Sequence, residues 1–140
     1  MINLELETLY YNDKKDRGQY DLNGLSMKEL QDRDQLRLLE VYKLLKESKV
    51  DKREIWNCHY LALLLQHGQD PSDFKLAHNY AKMAVDMGSR VTKWLYAATL
   101  DRYLLSIGKK QKFGTQFIVK GSKMKLAPYD KGLSENKTSK

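Results

Sequence analysis

The sequence predicts a mainly α-helical protein: an antiparallel bundle of about five helices arranged as helical hairpins, followed by a small C-terminal β-hairpin. Three observations favour this fold class. Apolar residues recur at helical spacing over most of residues 26–107. Gly, Pro and Asp divide that stretch into segments joined by short connections, which place consecutive helices antiparallel. Beyond Gly108 the helical period gives way to two short apolar runs on either side of a turn.

The first segment carries the weakest pattern. Residues 1–12 alternate weakly and end in Leu9-Tyr10-Tyr11, so we expect a short helix there, with a strand as the alternative. Residues 13–25 contain Gly18 and Gly24 and are expected to form a loop.

The second helix has a clear start. Ser26 and Glu29 have the spacing of a capping box, in which each side chain satisfies a free backbone N–H group of the first turn. The helix is expected to continue to about Glu47. Its apolar residues, which follow at helical spacing, are Leu30, Leu36, Leu39, Val41, Leu44 and Leu45.

Turn-forming residues delimit the next three helices. Asp51 is expected to cap the third helix, and Gly68 to end it in the left-handed conformation. Pro71 stands at the first position of the fourth helix, where its missing N–H is not needed. The fifth helix is expected to begin at Ser89 and to end at Gly108.

The C-terminal part has a different character. Phe117-Ile118-Val119 and Met124-Lys125-Leu126 flank a Gly-containing turn and predict the hairpin. We expect residues 1–128 to form a single helical domain that includes this hairpin, and residues 129–140 to form a flexible basic tail. Residues 109–140 hold nine lysines and two acidic residues, so the formal net charge of +7 resides there.

Composition narrows the classes of function. No apolar run approaches the roughly 20 residues that span a bilayer, and the first residues lack the pattern of a signal peptide. A single cysteine excludes an intrachain disulfide, and together these features favour a cytoplasmic protein. The basic tail lacks an arginine cluster and has few aromatic residues, which argues against nucleic acid as the partner. An unidentified small molecule or protein is the expected partner.

No motif predicts a cofactor or a metal. The chain has no P-loop, no dinucleotide-binding fingerprint and no nucleophile elbow. We therefore expect no cofactor. His67, His78, Asp34 and Asp101 are metal ligands in kind, but their spacing matches no metal-binding motif, so we expect no metal site.

Two polar pairs interrupt the apolar helices. Gln66 and His67 stand at the end of the third helix, where the helix dipole favours a protonated imidazole, so His67 either caps the helix or belongs to a site. Asp101 and Arg102 stand within the apolar fifth helix, and one of them must border the core. A charge in that position needs a partner, which is either a structural ion pair or a ligand.

The segment Gln111–Gln116 is the least ordinary loop of the chain. Gly114 permits close approach to the backbone, and Thr115 and two glutamine side chains provide hydrogen-bond donors and acceptors. Two interpretations stay open. The segment either binds a neutral polar ligand or forms a hydrogen-bonded brace between the hairpin and the bundle.

These segments resemble a family of small, uncharacterised bacterial proteins grouped as a domain of unknown function. The resemblance covers about residues 30–120. The family also shows an Asp and an Arg in its first segment, which Asp13, Asp16 and Arg17 supply here. The resemblance implies a helical domain with a shared polar site and brings no known activity, substrate or cofactor. The matching segments are Asp34-x-x-Arg37, Leu65-Gln66-His67-Gly68, Ala77-His78, Leu100-Asp101-Arg102-Tyr103-Leu104-Leu105 and Gly108-x-x-Gln111-x-Phe113-Gly114-Thr115-Gln116-Phe117.

Two functions are compatible with these residues. The first is a ligand-binding or protein-interaction domain in which Arg37 and Arg102 hold an anionic group. The alternative is a small cytoplasmic hydrolase or transferase with His67 as general acid or base, oriented by Asp101 or Asp34, and with Arg102 stabilising negative charge. The residues predicted to form the site are Arg37, Gln66, His67, Asp101, Arg102, Gln111, Gly114, Thr115 and Gln116.

Overall fold

A computed structural model describes residues 1–130. The predicted fold class, mainly α with a C-terminal β-hairpin, is confirmed. Strands β1 and β2 pair antiparallel, with Phe117 opposite Leu126 and Lys120 opposite Lys123. The elements are α1 (Leu4–Asp21), α2 (Met27–Lys46), α3 (Ile55–Leu65), α4 (Pro71–Asp86), α5 (Lys93–Ser106), β1 (Phe117–Lys120) and β2 (Lys123–Leu126).

Helix α3 lies at the centre of the molecule and contacts each of the other four helices. It is apolar on nearly every side, so burial on all faces is the arrangement that removes its side chains from water. Leu61 and Leu65 are completely buried. Ala77 and Ala81 of α4 are also fully buried, and small side chains at these positions let α4 approach α3 closely.

Helix α1 continues through the segment predicted to be a loop. It begins after Asn3, whose side chain accepts a hydrogen bond from the Leu6 N–H at 2.8 Å, and it ends at Asp21. The expectation of a loop over residues 13–25 is therefore wrong. Gly18 lowers the local helix propensity, but charged partners on α2 hold this half of α1 in place, as described below.

Helix α2 begins with the predicted capping box, because Ser26 accepts from the Glu29 N–H and Glu29 accepts from the Ser26 N–H. Its buried face differs from the apolar series seen in the sequence. Leu36 and Leu39 are 65% and 67% exposed. The buried positions also recur at helical spacing, but one of them is a charged residue. They are Leu30, Arg37, Leu38, Val41 and Leu44.

Two predicted helix starts are corrected. Helix α3 is capped by Glu54, while Asp51 accepts from the backbone N–H of Arg53 in the preceding turn. Helix α5 begins at Lys93, after a turn in which the Ser89 and Thr92 hydroxyls lie 2.5 Å apart. Each helix begins a few residues later than predicted, inside a short polar stretch that offers several capping residues.

A glycine follows the end of each of α3, α4 and α5, but the three glycines do not share one conformation. Gly88 and Gly108 have φ values of 102° and 79°, as expected for left-handed stops. Gly68 does not adopt this conformation, contrary to the prediction. A Cβ atom there would lie 2.5 Å from the Asp73 side chain, so its role is close packing.

The end of the described chain is attached to the loop after α5. The Gln111 N–H donates to the Pro128 carbonyl, and the Asp130 N–H donates to the Gln111 carbonyl. The predicted tail from residue 131 onwards lies outside the described residues. Among residues 1–130, no helix combines the length and apolar content that crossing a membrane requires.

Candidate functional site

Three aspartates and three arginines join α1 to α2. Arg37 donates to Asp16 at 2.6 Å and to Asp34 at 2.8 Å. Arg17 binds Asp34 with both terminal nitrogens, at 3.0 and 2.8 Å, and also pairs with Asp13 one turn earlier on α1. Arg33 donates to the second oxygen of Asp16 at 2.7 Å. The spacing of three and four residues places these groups on the facing sides of the two helices.

Two carboxylates of the cluster, those of Asp16 and Asp34, have lowered pKa values. Burial raises the pKa of Asp34, but hydrogen bonds from Arg17 and Arg37 outweigh it and hold that pKa below the ordinary value. Burial acts on Asp16 in the same direction, and the bonds from Arg37 and Arg33 again bring its pKa below the ordinary value. Asp16 and Asp34 are therefore ionised beside the arginines that bind them.

His67 extends from the end of α3 toward this cluster. Its Nε2 lies 3.6 Å from an oxygen of Asp13, a carboxylate whose side chain is 2% exposed. That distance allows electrostatic attraction but exceeds a good hydrogen bond. Nε2 is buried and has no hydrogen-bond partner among residues 1–130.

Arg102 brings a further positive charge from α5. Its Nη1 donates weakly to the Gln66 carbonyl at 3.4 Å, and its guanidinium lies 5.8 Å from the centre of the Phe74 ring. Its Nε is buried without a hydrogen-bond partner, and no carboxylate pairs with Arg102 within the described part of the chain. Burial, and then the charge of Arg17, lower the pKa of Arg102. Arg102 is thus a desolvated cation in need of a counter-charge.

An open cavity of about 290 Å³, here called the Arg102 cavity, lies beside these groups. Arg17 and Arg102 both line it, so two guanidinium groups face the same space. Asp34 is the one acidic side chain in the lining, and Arg17 and Arg37 already neutralise it. The complete lining is Arg17, Met27, Leu30, Gln31, Asp34, Gln35, His67, Gly68, Gln69 and Arg102.

Asp101, the neighbour of Arg102, is completely buried and faces the loop after α5. One of its oxygens accepts from the backbone N–H groups of Lys112 and Phe113, at 2.7 and 2.8 Å. The other accepts from the N–H and the hydroxyl of Thr115, at 3.0 and 2.8 Å. Four bonds occupy this carboxylate, and nothing in this geometry directs it toward His67.

Gln111 completes the same structural unit and is also completely buried. Its side-chain amide donates to the carbonyls of Gln116 and Ala127 at 2.9 Å, and its oxygen accepts from the Gln116 N–H at 3.0 Å. Gly114 lies between Gln111 and Gln116 in the sequence, and its φ of 76° is a backbone conformation that favours glycine. Of the two interpretations of this segment, the observed contacts are those of a brace between bundle and hairpin.

The structure thus divides the predicted site residues into two groups. His67 and Arg102 line the Arg102 cavity. Arg37 lies behind it, bound to Asp16 and Asp34, and Gln66 contributes its backbone carbonyl to Arg102. The residues that belong to the brace and do not line the cavity are Asp101, Gln111, Gly114, Thr115 and Gln116.

Arg17 is the arginine of the cavity lining that the predicted site set omitted, and the set also lacked the three glutamines of the lining, Gln31, Gln35 and Gln69. The spacing of Asp13, Asp16 and Arg17 could have identified it, because these residues share one face if the segment is helical. Within residues 1–130, no group of three or more His, Cys, Asp or Glu side chains is arranged to hold a metal ion.

Comparison of the chain with models of protein families, with curated proteins and with solved structures finds no match.

Proposed function

We propose that this protein is a small-ligand-binding domain whose ligand places an anionic group, a carboxylate or a phosphate, between Arg17 and Arg102. The observation that carries the proposal is the half-buried guanidinium of Arg102, which lines the cavity, has a buried Nε without a hydrogen-bond partner and has no carboxylate partner among residues 1–130. A ligand anion would supply the missing counter-charge and accept paired hydrogen bonds, for which guanidinium is well suited.

The remaining lining agrees with a compact polar ligand. Gln31, Gln35 and Gln69 offer amide donors and acceptors around the two arginines. A volume of about 290 Å³ is at the lower end for small-molecule sites, which favours a metabolite of modest size. The proposal places the domain in the cytoplasm, in keeping with its single buried cysteine.

The test is a titration at low ionic strength with inorganic phosphate and with succinate, followed by NMR of backbone amides, with neutral succinamide as the control ligand. Either anion should shift signals of residues that line the Arg102 cavity. Arg102→Met should weaken that binding by about 10-fold to 100-fold, because charge-assisted hydrogen bonds are lost. The matched variant Arg53→Met removes an arginine whose side chain is 93% exposed and should bind like the wild type.

Stability separates a lost ligand contact from a damaged fold. Arg102→Met should unfold at the same or a higher temperature, because a desolvated charge without a partner is replaced by an apolar side chain. Unchanged anion affinity in a folded Arg102→Met protein would refute the proposal. So would a wild type that binds neither anion.

A second candidate function, an acid–base enzyme, is favoured by the position of His67 beside Asp13. A carboxylate that faces one imidazole nitrogen leaves the other nitrogen for proton transfer to a ligand in the cavity. The test compares release of p-nitrophenol from p-nitrophenyl phosphate and p-nitrophenyl acetate with the rate in buffer. Release that His67→Gln abolishes while phosphate affinity persists would support the enzyme. Anion binding without release by the wild type would assign the binding function alone.

A further inference from the structure

A second cavity, of about 400 Å³, lies between α1, α3 and the beginning of α5 with the turn before it. It shares no lining residue with the Arg102 cavity. We call it the tryptophan cavity, because both tryptophans of the chain, Trp56 and Trp94, line it. Its complete lining is Tyr10, Lys14, Trp56, His59, Leu63, Val91, Trp94 and Leu95.

The two indole rings are unusually accessible. Trp56 is 42% exposed and Trp94 is 63% exposed, while Val91 beside them is 62% exposed. Large aromatic side chains gain most when they are buried, so a patch that keeps two of them open at one cavity is typical of a binding surface.

The inner wall of this cavity is held by neighbouring aromatic rings. The His59 ring lies 5.8 Å from both the Tyr10 ring and the Trp56 ring, with edge-to-face geometry. His59 Nδ1 is also 2.9 Å from the Thr92 hydroxyl, which fixes the orientation of the imidazole. The wall is therefore formed before a ligand arrives, which lowers the entropy lost on binding.

The lining of the tryptophan cavity carries a positive charge and no negative one. Lys14 is the one formally charged side chain in the lining, and its Nζ lies 5.1 Å from the centre of the Tyr10 ring. Burial, and then the charge of Lys14, lower the pKa of His59, so the imidazole is neutral at pH 7 and adds polarity without charge. A cationic ligand would be repelled by Lys14, whereas an anionic one would be attracted.

We propose that the tryptophan cavity binds a small aromatic carboxylate, with its planar ring against the indole faces of Trp56 and Trp94 and its carboxylate at Lys14. Flat aromatic surfaces favour offset or edge contacts with another ring. The volume suits one ring or two fused rings. This site is separate from the anion site at Arg102, so either proposal can fail without the other.

The test uses ¹⁹F NMR of the full chain labelled with 5-fluorotryptophan. The chain has two tryptophans, so two signals are expected, and both report on this cavity. The ligands form a matched series on one ring system: 2-naphthoate, 2-naphthalenemethanol and 2-naphthylmethylammonium. Naphthoate should shift both signals in a saturable manner and bind at least about 5-fold more tightly than the alcohol, with the ammonium compound weakest.

Variants assign the two parts of the ligand. Lys14→Gln should reduce the affinity for naphthoate to that for the alcohol, while Lys15→Gln, at the next and exposed residue, should leave it unchanged. Trp94→Ala removes an exposed side chain and should abolish the saturable shift of the Trp56 signal. Arg102→Met should retain wild-type naphthoate affinity, which keeps this site distinct from the proposed function.

Three results would overturn the inference. They are the absence of a saturable shift with naphthoate, equal affinity for the three naphthalene compounds, and wild-type naphthoate affinity in Lys14→Gln.

Discussion

At the scale of single residues, Asp101 and Arg102 show how adjacent charges serve different parts of one molecule. Successive side chains on a helix point about 100° apart, so the two cannot face the same surroundings. Asp101 turns inward and accepts four hydrogen bonds from the loop after α5. Arg102 faces the cavity at α2 and the end of α3. The sequence shows that this charged pair is unusual, but it does not show which partner each residue binds.

The first prediction at this scale concerns the carboxylate of Asp101. Asp101→Asn keeps the shape but leaves one acceptor oxygen and places an NH₂ group against backbone donors. We expect the free energy of unfolding to fall by about 3 kcal/mol, because buried charge-assisted hydrogen bonds are lost and donors are left unsatisfied. Urea unfolding followed by circular dichroism measures this loss.

The matched control is Asp86→Asn. Asp86 pairs with Lys82 one turn earlier, and its side chain is 62% exposed. Because a surface ion pair contributes little, this variant should lie within about 0.5 kcal/mol of the wild type. Equal stability of the Asp101 and Asp86 variants would show that the brace does not depend on the carboxylate charge.

Part of the candidate site could be predicted from the sequence at the residue scale. His67 follows an apolar helix and Arg102 interrupts another, and a polar residue in such a place must either find a partner or face a cavity. Gln111 and Thr115 are equally conspicuous, yet both are satisfied inside the brace, Gln111 by the Gln116 carbonyl and Thr115 by the Asp101 carboxylate. Both groups give the same signal in the sequence, because the signal reports the need for a hydrogen-bond partner and not its identity.

At the scale of elements, hydrophobic periodicity predicted the helices that pack through apolar faces and missed the second half of α1, which packs through charge. The second half of α1 buries Asp13 and Asp16, whose partners Arg17, Arg33 and Arg37 include two residues of α2. A period based on apolar residues cannot detect this face. The ion pairs that stabilise this half of α1 join Asp16 to Arg33 and Arg37, which lie 17 and 21 residues further along the chain. The sequence of either segment alone does not reveal these pairs.

In helix α2, hydrophobic periodicity predicts the helix but not the face that is buried. Leucines at 36 and 39 extend the apparent apolar series, but the buried face turns through Arg37 and Leu38 instead. Because α2 contacts α1 through ion pairs, its orientation is set by charge pairing as well as by leucine content. The hairpin, by contrast, followed from local pattern, since its two apolar runs and Gly121 turn lie within ten residues.

At the scale of the whole molecule, the α1–α2 ion pairs link global stability to pH. The pKa values of Asp16 and Asp34 are both lowered in the folded protein, below an ordinary value of 3.8. The unfolded chain therefore binds protons on these groups at a higher pH than the folded protein does. Their contribution to stability is complete above pH 3.8 and is lost as the pH falls through their lower folded values.

We therefore predict that the free energy of unfolding falls as the pH is lowered from about 5 to about 2.5, and that Asp16→Asn reduces this dependence. The variant should be less stable than the wild type at pH 5, because Arg33 and Arg37 lose a charged partner. The difference should shrink as the pH falls below 3.8 toward the lowered pKa of folded Asp16, because protonation removes the contribution that the wild type alone has. Asp32→Asn is the control, since that side chain is 64% exposed and pairs with Lys28 on the same helix. A wild-type-to-variant difference for Asp16→Asn that stays constant across this range would contradict the assignment of acid sensitivity to the α1–α2 ion pairs.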